Sequence, residues 1–427
     1  MWKAIYEMIR KRFTKSRTTE IHVAPKSTDA LCSELHRSLR FVLILAQCFA
    51  LMPLQGIMSD SLNQIRFKWF SFRTLYCLIN LCGSIGLFVF NFVRFLTTGM
   101  HFGDLATVFY FTSTTLTILL SIRLARLWHL LNEKWSVMET AMKHYSYKPN
   151  LTYRFKITTL VVLLLALGEH LLFISKLIDI SHDCDHVELH PLKTFFGVAF
   201  AQIFALTPFA YWKAFLLEFV NINVTFAWNF MDLFIMLMCS SLAERFRQIN
   251  KHVENTQAHG EEFWKTIRED YNCLSALCKT MDDFMSHLVS LSFGNNMFFI
   301  CVQLFNTMKP ISGTIHTVYF VCSFGFLLGR TASVLLYAAW INDESTVILN
   351  SLFDIPSEEF GTEASRLIQQ ISTSPVAITG SKYFIVTRDL CLKVTGAIMT
   401  FELILQQLGP MFLNTNDKTA DKPFCLL

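Results

Sequence analysis

Apolar residues in this chain neither alternate nor come in short clusters. They run on for about twenty residues at a time, in eight stretches: 39–58, 74–97, 105–128, 155–180, 198–242, 285–308, 316–341 and 390–413. A helix rising ~1.5 Å per residue needs about 20 apolar residues to cross a hydrocarbon core of ~30 Å. The pattern therefore predicts an all-α polytopic membrane protein. The first stretch is the weakest, interrupted by Gln47, Pro53 and Gln55. The fifth is too long. As one helix, 198–255 would exceed ~80 Å and must project beyond the membrane. "SSLAERFRQINKHVE" continues its pattern, and "HGEEFWKTIREDYNCLSALCKTMDDFMSHL" is a second amphipathic stretch leading back. Together they predict a cytoplasmic helical hairpin, with apolar positions at helical spacing. "EEFGTEASRLIQQIST", residues 358–373, reads as a further amphipathic helix feeding the last stretch.

Charge decides whether the first stretch crosses, because Lys and Arg are retained on the cytoplasmic side. If it does not cross and the N-terminus is inside, inner segments hold 24 Lys and Arg and outer ones 4. If it does cross, the split is 12 against 16. The expected topology is seven transmembrane helices with an intracellular N-terminus and an extracellular C-terminus. Residues 1–38 are then a cytoplasmic N-terminus and 39–73 a re-entrant or interfacial helix with its linker. Spans one to four occupy 74–242, the cytoplasmic hairpin 243–284, and spans five and six 285–341. A cytoplasmic segment, 342–389, leads into span seven at 390–413, and 414–427 form an extracellular tail. This is opposite to a G-protein-coupled receptor, and neither DRY after the third span nor NPxxY in the last is present. The sequons at Asn150 and Asn223 fall in an inner loop and within a span, so neither is expected to carry sugar. Cys184 and Cys425 both fall outside, and spacing does not decide whether they pair.

Composition agrees with the pattern. Residues are 52% hydrophobic, 14% aromatic and 16% charged, with 41 Phe, against about 25% charged in a soluble domain. A net charge of +4, from 37 basic and 33 acidic residues, does not suggest nucleic acid. The first 17 residues have no apolar core after their charges, so they are not a cleavable signal. The twelve Cys lie mostly in apolar runs, where Cys behaves as a small hydrophobe. There is no CxxC or metal-type spacing, and no nucleophile–base motif. No metal, cofactor or enzymatic activity is expected.

The last stretch contains "TFELILQQL", residues 400–408. It is similar to the signature of the insect gustatory receptors: Thr-Tyr, five mostly apolar residues, then Gln. Phe401 stands where Tyr is usual, and Gln406 where an apolar residue is usual. Similarity continues through "AQCFALMPLQGI" (46–57), "FSFRTLY" (70–76), "ALGEHLLF" (166–173), "TFAWNFMDLFIM" (225–236), "NNMFFICVQLFN" (295–306), "YFVCSFGFLLGRT" (319–331) and "VTRDL" (386–390). The ordered set resembles the sugar-receptor (sweet taste) branch of that family. The resemblance implies a fold related to insect odorant receptor channels, and a tetramer with a central pore lined by the last span. It implies a ligand-gated nonselective cation channel in the plasma membrane of a sensory neuron dendrite, opened by a mono- or disaccharide. Its partners would be the sugar, permeating cations and related subunits in a homo- or hetero-tetramer. Alternatives are a same-family channel for another small polar ligand, or a secondary transporter, although no inverted repeat is visible.

Spacing supplies the candidate residues. Thr400, Ile404, Gln407, Leu408 and Met411 share one helix face. Four such faces would stack polar and apolar rings, in which Gln amides replace hydration and Ile or Leu gates by dewetting. The resemblance makes Gln407 the polar constriction, with Ile404 and Leu408 as the apolar gate. Glu402 lies about 140° from Gln407 at ~100° per residue, so it faces a neighbouring helix and needs a partner or a proton. Interhelical hydrogen bonding is the alternative for these residues, and Gln406 has no assigned role. In span four, Tyr211, Glu218, Asn221, Thr225, Trp228 and Asp232 recur at i+3, i+4 or i+7. Such a stripe faces a cavity or the bundle interior. A sugar needs both its parts, with amides and carboxylates for hydroxyls and rings for C–H faces. Tyr110, Glu169, His170, Gln303 and Tyr319 sit at the outer ends of their spans and join the candidate ligand residues. Ordinary interhelical bonding fits each of them as well. Glu169 and His170 are adjacent but lack HExxH, so a packing or ligand-orienting pair is expected. Asp232, deeper, is assigned to packing.

Overall fold

The structure, a computed structural model, describes residues 32–97, 102–183, 191–256, 260–308, 313–358 and 360–413. Eleven helices carry nearly all of it: α1 (Glu34–Cys48), α2 (Phe72–Thr97), α3 (Phe102–Ala141), α4 (Leu151–Asp183), α5 (Pro191–Ala199), α6 (Ala201–Phe204), α7 (Tyr211–Asn255), α8 (Glu261–Thr307), α9 (Thr314–Phe353), α10 (Thr362–Thr373) and α11 (Arg388–Leu413). Two small antiparallel hairpins interrupt them. β1 (Leu54–Gln55) pairs with β2 (Arg66–Phe67), and β3 (Thr379–Gly380) with β4 (Phe384–Ile385).

Among the described residues, six helices are long and apolar enough to cross a membrane: α2, α3, α4, α7, α8 and α9. The seventh expected crossing, 390–413, coincides with α11. That helix has 26 residues but carries Lys393, Glu402, Gln406 and Gln407, which lower its hydropathy. α1 has 15 residues, about 22 Å at ~1.5 Å each. It ends where Ala50 (φ 56°) and Met52 (φ 48°) turn left-handed. The Gln47 amide satisfies that turn, donating to the carbonyls of Met52 (3.1 Å) and Leu54 (2.7 Å). The fifth apolar stretch is not one helix. Pro208 lacks an N–H and disfavours helical geometry at its predecessor. The chain forms α5 and α6 and then restarts at Tyr211 for a 45-residue helix.

α7 is the hub. Of its most apolar 18 residues 78% are buried, against 6% for α4. α7 packs on α3, α4, α8 and α9. α4 leaves Leu160, Leu164, Leu165 and Leu171 more than half exposed. In water that face would be an aggregation site; against lipid tails it is an ordinary outer surface.

At one end of the bundle the long helices are tied by buried polar contacts. Arg245 pairs with Glu34 (2.8 Å) and Glu139 (3.0 Å). The Tyr145 hydroxyl donates to Asp270 (2.6 Å). His36 sits between the Trp128 indole N–H, which donates to its Nδ1 (3.0 Å), and the Ile57 carbonyl, 2.9 Å from its Nε2. Both ring nitrogens are thus used by the neutral imidazole, and burial pushes its pKa down to about 4.

The β3–β4 hairpin fixes the entry to α11. Ser381 (φ 48°) and Lys382 (φ 66°) form a two-residue left-handed turn, the twist that closes a tight hairpin. The buried Asp282 of α8 accepts from the Thr379 N–H (2.7 Å) and pairs with Lys382. Phe384 packs on Phe293 of α8, with centroids 4.9 Å apart.

Candidate functional site

Residues from four long helices meet around Tyr110. Its hydroxyl is 3.0 Å from Thr225 Oγ1, so α3 and α7 are bridged by two hydroxyls. The Tyr110 ring lies 5.1 Å from that of Trp228, one turn further along α7. Phe299 of α8 lies 4.7 Å from Trp228, and the tier continues through Phe109 and Phe298, stacked at 3.9 Å. Glu169, Glu218 and Tyr319 lie within electrostatic reach of the Tyr110 hydroxyl. Glu169 of α4 accepts from Ser323 Oγ of α9 (2.8 Å). Tyr319, one turn from Ser323, has Lys176 Nζ 5.1 Å from its ring and Phe173 at 5.9 Å.

Helical spacing explains the convergence. Glu218, Asn221, Thr225 and Trp228 lie on one face of α7, each half-buried. Thr225 and Trp228 on that face meet Tyr110 of α3, Phe299 of α8 and Arg330 of α9. Chemically, the assembly offers ring faces, hydroxyls as donors and acceptors, and two carboxylates as acceptors. Those groups suit a neutral polyhydroxylated ligand. Among the described residues no group of three His, Cys, Asp or Glu side chains could hold a metal ion.

α11 divides into two faces. Val394, Ile398, Phe401 and Leu405 pack inward, Leu405 and Phe401 against Ile300, Leu304 and Leu327 of α8 and α9. Thr400, Ile404 and Gln407 are exposed in the single chain, as are Met399 and Leu403. Glu402 is half-buried. The side chains of Gln406, Leu408 and Met411 lie outside the described residues.

Comparison with known proteins places this geometry. The family described as "Trehalose receptor" matches residues 24–418. Among the relatives from Drosophila melanogaster, "Gustatory receptor for sugar taste 64f" is 32% identical over 87% of this chain and 80% of its own length. "Gustatory receptor 5a for trehalose" is 31% identical over 87% and 84%.

The chain is an insect gustatory receptor of the sugar-taste branch.

A further gustatory receptor, "for sugar taste 64a", is 32% identical over 91% of this chain. The fold of this gustatory receptor is also that of insect olfactory receptors. The olfactory receptor OR5 from Machilis hrabei superposes with a TM-score of 0.61 in complex with eugenol, at 12% identity, covering 88% of this chain and 98% of that one. Without eugenol the TM-score is 0.59. The gustatory receptor is therefore an all-α, multi-pass membrane protein of the insect chemosensory receptor fold, and its family is one of receptors, not enzymes.

Of the ligand residues expected from sequence, the receptor brings Tyr110, Thr225, Trp228, Glu218, Asn221, Glu169 and Tyr319 into one region. His170 joins at its edge, 6.4 Å from Phe173. Tyr211 lies apart at the start of α7, 42% exposed and edge-on to Phe209. Gln303 is half-buried on α8, one turn beyond Phe299. Sequence reasoning missed Phe109, Phe298 and Phe299, which are lost among 41 Phe. It also missed Arg330 on α9. A lone arginine inside one apolar stretch and a lone aspartate inside another was the available signal, since such charges need each other.

Proposed function

We propose that this receptor is a sugar-gated nonselective cation channel that depolarises a taste neuron from its dendritic plasma membrane. The observation that carries the reading is the cluster at Tyr110, Thr225, Trp228, Glu169 and Tyr319, where rings, hydroxyls and carboxylates converge in a family whose relatives are named for sugar taste. A mono- or disaccharide would lay its C–H faces on Trp228 and Tyr110 and direct hydroxyls to Glu169, Glu218 and Thr225. Trp228 keeps a buried indole N–H without an acceptor among the described residues, a donor free for a sugar oxygen. The chain would have seven spans, with its N-terminus inside and its C-terminus outside. It would assemble as a tetramer, alone or with related subunits. Thr400, Ile404, Gln407 and Leu408 would line the pore. Their support is the exposure of Thr400, Ile404 and Gln407 opposite a packed face of α11. Sugar opens the pore only by binding the open arrangement more tightly, and a bias of about 3 kcal/mol shifts the equilibrium roughly 150-fold.

The test is expression in a cell without sugar responses, a panel of sugars, and current recording. Channel-sized currents are expected, with Tyr110→Phe raising the half-maximal concentration and Gln407→Ala altering ion permeation at unchanged sugar sensitivity. Uptake of labelled sugar without conductance would replace the channel with a transporter. Silence under every sugar would point to another ligand or a missing subunit.

A further inference from the structure

Beneath Trp228 lies a buried polar cluster that the ligand residues do not include. Arg330 (6% exposed) and Asp232 (0%) are enclosed between α7, α8 and α9. Arg330 Nε lies 2.9 Å from Asp232 Oδ2. Its Nη1 donates to Asn229 Oδ1 (2.7 Å) and its Nη2 to Asn296 Oδ1 (3.3 Å). Asp232 accepts from Ser292 Oγ (2.5 Å) and Asn296 Nδ2 (3.1 Å). The guanidinium carbon stands 5.0 Å from the centre of the Trp228 ring and 5.4 Å from that of Phe326.

We propose that Arg330 is a positioning residue of the ligand site, its guanidinium being held by Asp232, Asn229 and Asn296 so that it fixes the Trp228 indole against the incoming ligand. The inference rests on reading the Tyr110–Trp228 cluster as that site. Two nitrogens of this planar, always-charged group donate to Asn229 and Asn296, the third lies at ion-pair distance from Asp232 without the alignment of a hydrogen bond, and the contacts come from two helices besides its own. The plane cannot rotate without breaking one of them. The ring above it inherits that constraint through a desolvated cation–π contact. Trp228 in turn packs on Tyr110, whose hydroxyl is 3.0 Å from Thr225. An apolar pair could join the same helices without the cost of dehydrating two ions. It could not hold an indole at a set angle.

The experiment uses the full-length receptor, with surface expression measured alongside current. Arg330→Lys keeps a charge for Asp232 but loses the plane and the fork. The expected result is a rise of about tenfold in half-maximal sugar concentration, equivalent to ~1.4 kcal/mol, with reversal potential unchanged. On a Trp228→Leu background the same substitution is expected to shift it less than about twofold, because two groups that act through one contact are not additive. Asn229→Ala removes one anchor of the guanidinium without leaving an unpaired charge. It should shift the response about threefold, again only when Trp228 is present. Asn229→Ala decides alone if Arg330→Lys does not reach the surface. Shifts that persist in full without the indole, or none at all in variants at normal surface density, would overturn the assignment. If Trp228→Leu by itself leaves sugar sensitivity unaltered, the ligand-site reading falls and this one with it; a normal Trp228 effect with additive Arg330 shifts overturns this one alone.

Discussion

Asp232 shows how much one residue changes when its surroundings are known. On the helix face it continues the stripe of Glu218, Thr225 and Trp228, and at that level it is a packing aspartate. In the folded chain it is wholly buried and carries three partners from two other helices. Removing one member of such a pair strands the other charge in a dry interior, at a cost of about 3–5 kcal/mol. Asp232→Ala should therefore lower the unfolding midpoint of the detergent-solubilised receptor steeply. The double variant Asp232→Leu with Arg330→Met should recover most of that loss. Equal losses in both would mean that the ion pair is not what the region depends on. Tyr110 shows the opposite case: the sequence marked it only as a polar aromatic residue at the outer end of its span, and the structure supplied its partner on α7, Thr225.

At the scale of elements, amphipathic spacing was a reliable guide, and continuous apolar sequence located the long helices but not the break before Tyr211. α10 buries Ala364, Leu367 and Ile371, at i, i+3 and i+7, as the pattern in 358–373 requires. The long 198–255 stretch misled because hydropathy does not register that Pro208 removes a donor. The segment after α1 was legible only as a break. Its form depends on Gly56, at φ +72°, where a Cβ would overlap the Gln64 carbonyl. Gly56→Ala should destabilise the receptor by about 1–3 kcal/mol, read as a lower unfolding midpoint. Gly86, inside α2, has open space at its Cβ position. There Ala should leave the midpoint unchanged or raise it, because helical Gly costs roughly 0.5–1 kcal/mol against Ala. A Gly56→Ala protein as stable as wild type would show that this loop rearranges freely.

For the molecule as a whole, the proposed orientation makes a clear demand on Asn150. Its Oδ1 accepts from the Tyr153 N–H (3.2 Å) at the start of α4, in a segment that charge counting assigns to the cytoplasm. Glycosidase treatment should leave the mobility of the receptor unchanged. A shift abolished by Asn150→Gln would reverse the orientation. The sequence determined that this chain is a helical membrane protein, and its ordered motifs determined the family. Length and apolarity of a segment are local quantities, fixed before any helix meets another. The sequence also marked one face of α11 and one face of α7 as polar, because helical spacing is local too. Which faces meet was decided only by tertiary structure. Packing α7 at the centre of the bundle turned its stripe inward onto Tyr110 and Phe299, and brought Arg330 of α9 to Asp232 across roughly a hundred residues of chain. No local rule contains those pairings, since each depends on how several helices share the same interior.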